Sequence, residues 1–158
     1  MARARKLRIA EGPIEQDLLF RRTASVFGVE RVGSRVRQTL ETACQSLPAP
    51  QPARHGTAWW PSGLHPATWR GFRVPAPESP MSNRPLEHIP LAELANAAEH
   101  VLWVSFGLPR DELFRETAAL FGVGRLGPNV RARLAAAIDE LCRQNRARAH
   151  NDSISLSD

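Results

Sequence analysis

The sequence predicts a mainly α protein with a small β-hairpin, built from two tandem helix-turn-helix or winged-helix-like units. The first observation is an internal repeat, because Phe20–Leu40 aligns without a gap on Phe114–Leu134, 94 positions later. A shared supersecondary unit explains such self-similarity better than chance. The second observation is apolar spacing of three and four residues on both sides of a glycine turn, which is typical of two packed helices.

Copy one is expected to form two helices. Acidic residues before Leu18 favour a helix start, and Gly28 is a natural C-terminal cap. Ser34 is the expected N-cap of a second helix, which ends before Pro48. No leading helix precedes this pair, since residues 7–14 favour a short extended piece. We expect the missing helix in a preceding domain or in a swapped partner.

Copy two is expected to form three helices. Pro90 suits the first turn of an amphipathic leading helix, which Gly107 ends. Pro109 then opens the next helix, Gly122 caps it, and Pro128 begins the last one.

Between the copies, two aromatic runs suggest a β-hairpin. The runs 57–60 and 69–74 are expected to pair across a long loop, with Trp59 and Trp69 closing the core. The order strand, helix, turn, helix, hairpin is that of a winged helix without its first helix. The predicted organisation is a winged-helix-like unit at 8–76, a linker at 77–87, a three-helix unit at 88–145 and a disordered tail at 146–158.

Charge separates the two copies. The 158-residue chain has a formal charge of +5, and Lys6 is its only lysine, so arginine carries nearly all the positive charge. Residues 1–47 have nine Lys/Arg against five Asp/Glu, a balance of +4, whereas residues 81–145 have seven against eight, a balance of −1. Arginine suits bidentate contact with phosphate. Copy one is therefore the expected nucleic-acid-binding unit.

Several classes of function lack support in the sequence. There is no Gly-x-Ser-x-Gly elbow and no phosphate loop with its lysine, so we expect no enzyme and no catalytic residue. Gly122–Gly127 reads G-x-G-x-x-G, but it follows a predicted helix rather than a strand, which argues against nucleotide binding. Histidine and cysteine spacing predicts no metal site, with Cys44 and Cys142 expected as buried thiols. We expect a cytoplasmic protein with no cofactor, small-molecule substrate or membrane association.

The candidate nucleic-acid contacts lie near the start of the second helix of copy one and in the second aromatic run. Two of these arginines recur in copy two, so they have a structural alternative, which is pairing with a carboxylate or capping a helix. Arginine 35 does not recur and is the cleaner candidate. Arginines 70 and 73 suit a wing on phosphates, or belong to a segment that covers the core. The full set is Arg31, Ser34, Arg35, Arg37, Arg70 and Arg73.

Five stretches together resemble a known family. They are Arg8–Ile14, Arg31–Arg37, Trp69–Pro75, Ile89–Leu94 and Glu112–Gly122. In this order they resemble a bacterial family of unknown function that forms the C-terminal region of large superfamily-one helicase-like proteins, often after a restriction-endonuclease-like domain. The resemblance implies an accessory module of a DNA-processing system and supplies no catalytic residue.

These observations favour a non-catalytic module that binds DNA, expected to be duplex, and partners a helicase-like or nuclease-like protein domain. Phosphate contacts through arginine would then provide most of the affinity. The alternative is a protein–protein docking or structural module that braces a helicase or nuclease core. An exposed apolar groove in copy one favours that alternative.

Overall fold

The computed structural model describes residues 12–45, 53–55, 58–61, 63–79 and 82–157. These residues form a mainly α protein with small antiparallel sheets, which confirms the predicted fold class. The chain divides into two compact units, unit 1 at residues 1–68 and unit 2 at residues 69–158.

Unit 1 places two helices against a three-stranded sheet. Its elements are β1 (Ile14–Glu15), α1 (Gln16–Val26), α2 (Ser34–Gln45), β2 (Ala53–His55) and β3 (Ala58–Trp60). The strand order is β1-β3-β2, with both pairings antiparallel. Leu19, Phe20, Cys44 and Trp59 meet in its core, because the apolar positions of both helices recur at three- and four-residue spacing.

Unit 2 has the same arrangement with a leading helix. Its elements are a 3-10 turn (Leu86–His88), α3 (Leu91–Ser105), β4 (Leu108–Pro109), α4 (Arg110–Leu120), α5 (Pro128–Arg143), β5 (Ala147–His150) and β6 (Ser153–Leu156). The sheet order β4-β6-β5 matches that of unit 1. Helix α3 packs on both α4 and α5, and its side chains Leu94, Ala98 and Leu102 are fully buried among theirs.

The repeat extends to single backbone hydrogen bonds. The N–H of Val29 donates to the carbonyl of Ala24 at 3.0 Å, and the N–H of Val123 donates to Ala118 at 3.0 Å. Gly28 and Gly122 follow the two helix ends with φ of 72° and 74°, a left-handed conformation that favours glycine. The predicted glycine turns are confirmed in both copies.

The predicted disordered tail at 146–158 is wrong for residues 147–156. These residues form the β5–β6 hairpin, which adds β6 to β4 through the pair Leu108–Ile154. Asn151 adopts φ of 54° in the connecting turn, and Ala147 and Ile154 are buried. A short turn flanked by alternating apolar residues explains why this polar segment is a hairpin. Unit 2 therefore extends well past the predicted boundary at residue 145.

The predicted hairpin between runs 57–60 and 69–74 is also wrong. Strand β3 pairs with β1 and β2 instead. The backbone of the second run is occupied by helix α3, because the side-chain amide of Asn96 donates to the carbonyls of Trp69 at 3.0 Å and Gly71 at 2.9 Å. This contact explains why the division between units follows Thr68 rather than the expected residue 76.

A buried carboxylate fixes the segment that leads into α3. Glu93 has no exposed surface, and its oxygens accept hydrogen bonds from the guanidinium groups of Arg73 and Arg84 at 2.7–3.1 Å. Arg84, Leu86 and other residues before α3 are buried. The stretch predicted as a linker at 77–87 therefore contributes directly to the core of unit 2.

Replacement of Glu93 by Gln is expected to lower the free energy of unfolding of unit 2 by about 3 kcal/mol, because two guanidinium groups lose their buried counter-charge. Urea denaturation followed by circular dichroism measures the change. Glu116→Gln, at an exposed position of α4, is the control and should leave stability unaltered.

The stability contributed by Glu93 should also depend on pH. Burial raises the pKa of this carboxyl, but hydrogen bonds from Arg84 and then Arg73 outweigh burial and hold it below the ordinary 4.5. A pKa that is lower in the folded state contributes stability fully above the unfolded pKa, and the contribution is lost as pH falls toward the folded pKa. The stability difference between the native chain and the Glu93→Gln variant should thus shrink below about pH 4.5; a constant difference would contradict this assignment.

Candidate nucleic-acid interface

The start of helix α2 presents two exposed arginines beside free backbone donors. Arg31 lies in the turn and Arg35 in the first helical turn, with the exposed Ser34 at the helix start. Neither guanidinium group forms an ion pair with any residue that the structure describes. The N–H groups of a first helical turn carry partial positive charge. This end of α2 therefore suits an anion such as phosphate.

Arg37 has a different role from its neighbours. Its guanidinium donates to Asp17 of α1 at 2.8 Å and lies 5.6 Å from the centre of the Phe20 ring. In unit 2, Arg131 donates to Asp111 at 2.7 Å in the same relation. That hydrogen bond holds the pKa of Asp111 below its ordinary value. The recurrent arginine thus joins the two helices of each unit, which accounts for its repetition.

Sequence reasoning missed three residues on the outer face of α2. Gln38, Thr39 and Thr42 are exposed beside Arg35, whereas Leu40 and Ala43 turn inward. The two threonine hydroxyls donate to the carbonyls of Arg35 and Gln38 within the helix, each at 3.0 Å. Their lone pairs remain as acceptors. The missed signal was the spacing of uncharged polar residues along the face, since only positive charge had been considered.

The equivalent face of helix α5 in unit 2 has a different chemistry. Asn129, Ala132, Ala136 and Asp139 are exposed there. Arg133 of the same helix donates to the carbonyl of Ile89 at 2.6 Å, so its guanidinium stabilises the chain ahead of α3. The two helices share their inward residues but present polar hydrogen-bonding groups on one and mainly alanine on the other.

The structure does not gather all six predicted residues in one unit. Arg31, Ser34, Arg35 and Arg37 lie in unit 1. The other two lie in unit 2, where Arg73 is held by buried Glu93. The exposed guanidinium of the second, arginine 70, donates to the carbonyl of Trp69 at 3.3 Å. The candidate interface is therefore built around the start of α2.

Other chemistry finds few groups to use. Within the described ranges, no three His, Cys, Asp or Glu side chains come together as a metal site. In the same part of the chain, no helix has the length and apolarity to cross a bilayer. Cys44 is buried as expected, and Cys142 is partly buried, which raises the pKa of its thiol.

Comparison with known proteins gives one match. Residues 8–38 are similar to the family described as protein of unknown function DUF3320. The matched segment includes β1, α1 and the start of α2 with Arg31, Ser34 and Arg35. No curated protein matches the chain, and no solved structure matches it.

The different roles of Arg35 and Arg37 predict different effects on stability. Arg37→Gln should lower the free energy of unfolding of unit 1 by about 0.5–1 kcal/mol, since it removes an exposed ion pair and a contact with Phe20. Arg35→Gln should leave it unchanged within error. Urea denaturation followed by tryptophan fluorescence compares them, and equal losses in both variants would contradict the distinction.

Proposed function

We propose that unit 1 is a non-catalytic module that binds duplex DNA through the start and outer face of α2. The observation that carries this proposal is the contrast between the two copies. Helix α2 presents Arg35, Gln38, Thr39 and Thr42 on an exposed face without an acidic residue, whereas the equivalent face of α5 presents alanine and Asp139. One fold thus appears twice, and only one copy has groups that match nucleic acid.

The order of elements supports a winged-helix-like assignment for both units. Each has a short strand, two helices and a hairpin, with the first strand paired to the last. In helix-turn-helix proteins the second helix enters the major groove with its N-terminal residues toward the bases. In unit 1 that helix is α2, and its 12 residues extend about 18 Å. This length suffices to follow the groove.

The side chains of α2 suit two kinds of contact with duplex DNA. Arg31 and Arg35, together with the first N–H groups of the helix, match phosphate oxygens. Gln38 has the amide pair that recognises adenine, and threonine hydroxyls serve several base edges in the major groove. Phosphate contacts would dominate affinity, and the outer face of α2 would select sequence.

The biological setting that we propose is an accessory role in a helicase or nuclease type of DNA-processing system, in the cytoplasm. The support is the resemblance of the chain to the C-terminal region of helicase-like proteins. A helicase-like or nuclease-like domain is then the expected partner. Protein docking is the second candidate function, and the exposed aromatic ring of Phe27 favours it.

Fluorescence anisotropy of labelled duplex DNA over a salt series tests DNA binding. The double variant Arg31→Gln/Arg35→Gln should bind about tenfold or more weakly at low salt, because two phosphate contacts are lost. Its slope of log affinity against log salt should fall by about 1.8, at 0.9 for each contact. The matched control is Arg115→Gln/Arg125→Gln, which removes the same charge from exposed positions in unit 2.

The control variant should retain the affinity and salt slope of the native chain. Absence of salt-dependent binding by the native chain would refute DNA binding. Equal losses in both double variants would show that net charge, rather than the start of α2, governs the interaction.

A further inference from the structure

A phenylalanine that is buried in unit 2 is exposed in unit 1. Phe27 is 60% exposed, whereas its equivalent Phe121 is 1% exposed. The backbone is the same at both places, since the N–H of Phe27 donates to Ala24 at 2.9 Å and that of Phe121 to Ala118 at 3.0 Å. Local conformation therefore does not explain the difference. The explanation lies in what packs against each ring.

In unit 2 the ring is covered by the chain that contains and precedes α3. Phe72 packs edge-on against Phe121 with ring centres 6.5 Å apart, and Phe72 also contacts His100 of α3 at 5.4 Å. Helix α3 covers α4 and α5, which leaves Leu134 1% exposed. The equivalent Leu40 of unit 1 is only half-buried.

The open face of unit 1 consists of Val26, Phe27 and Leu40. Val26 is 43% exposed. This face continues the established core, because Phe20 and Ala24 of the same helix are buried directly behind it. A solvent-exposed aromatic ring that extends an apolar core is typical of a binding surface. The face is thus the place where a counterpart of α3 would complete the unit.

The sequence just before β1 does not repeat α3. With the same offset of 94, the fully buried Ala97 and Leu102 of α3 correspond to Arg3 and Arg8. Arginine at these positions cannot supply the apolar contacts that α3 makes. The helix that completes the face therefore comes from another polypeptide.

We propose that the open face of unit 1 binds an amphipathic helix of a partner protein. The partner helix carries the pattern by which α3 fills the equivalent place in unit 2, which is leucine, alanine and leucine at four-residue intervals, as in Leu94, Ala98 and Leu102. This spacing aligns the three side chains on one face. The small central residue permits close approach to Phe27, and the leucines pack beside it.

A labelled peptide with the sequence of residues 89–107 is the probe, because it contains the helix that fills this place in unit 2. Anisotropy should show saturable binding to the full chain. Phe27→Asp should weaken it about tenfold or more, as expected for a central aromatic anchor. Val26→Asp is a second variant on the same face. The matched control is Phe106→Asp, since Phe106 is 91% exposed and lies in unit 2.

Each outcome decides the proposal. Saturable binding that both variants of the face weaken, with Phe106→Asp unaffected and circular dichroism unchanged, supports it. Absence of saturable binding overturns it, and so does equal binding by the Phe27→Asp and Phe106→Asp variants. Light scattering adds one further result: a dimer that Phe27→Asp dissociates would identify a second copy as the occupant, which overturns the partner helix. DNA affinity measured on Phe27→Asp should be unchanged, so failure here is distinct from failure of DNA binding.

Discussion

The structure depends on one turn, which joins two helices and occurs in both units. After the first helix, the carbonyl of Ala24 accepts the N–H groups of Phe27 and Val29, while Gly28 takes a left-handed conformation that other residues adopt at a cost. The turn brings the chain back so that the second helix packs across the first. Its geometry sets the direction of α2 and therefore the position of Arg35. The same bonds recur in unit 2, so the scaffold is common to both copies.

The two copies differ in how the common scaffold is completed. Unit 2 is covered by α3, and the buried Glu93 fixes the segment before it through Arg73 and Arg84. Its second helix uses Arg133 to stabilise that segment. Unit 1 leaves Phe27 open and presents polar groups on the outer face of its second helix. We infer that duplication allowed one copy to become a stable support while the other kept its surfaces for binding.

The helices and turns followed from sequence because their signals are local. Gly28 and Gly122 mark the turns, and Pro128 begins its helix at the expected place. The hairpin at 147–156 was missed because its few apolar residues were outweighed by its polar composition. The role of Arg73 was hidden because its partner Glu93 lies 20 residues away and is brought near by the fold. Pairing between distant residues leaves no periodic signal.

The candidate site was predictable in part for the same reason. Charge alone was enough to indicate Arg31 and Arg35, whose guanidinium groups the structure leaves exposed at the start of α2. Charge did not separate them from Arg37, whose partner Asp17 lies on the other helix. The exposure of Phe27 became meaningful only beside the buried Phe121. Comparison of equivalent positions within the chain is therefore more informative here than either copy alone.

The most direct test of the central claim, that the two copies share a fold but differ in function, is a titration of the isotope-labelled full chain with duplex DNA, followed by amide chemical shifts. We predict shifts concentrated at residues 31–42 of unit 1, with residues 125–136 of unit 2 unchanged. Equal shifts at both sets would contradict the claim, because they would show that the common scaffold, rather than the distinct surface of α2, binds DNA.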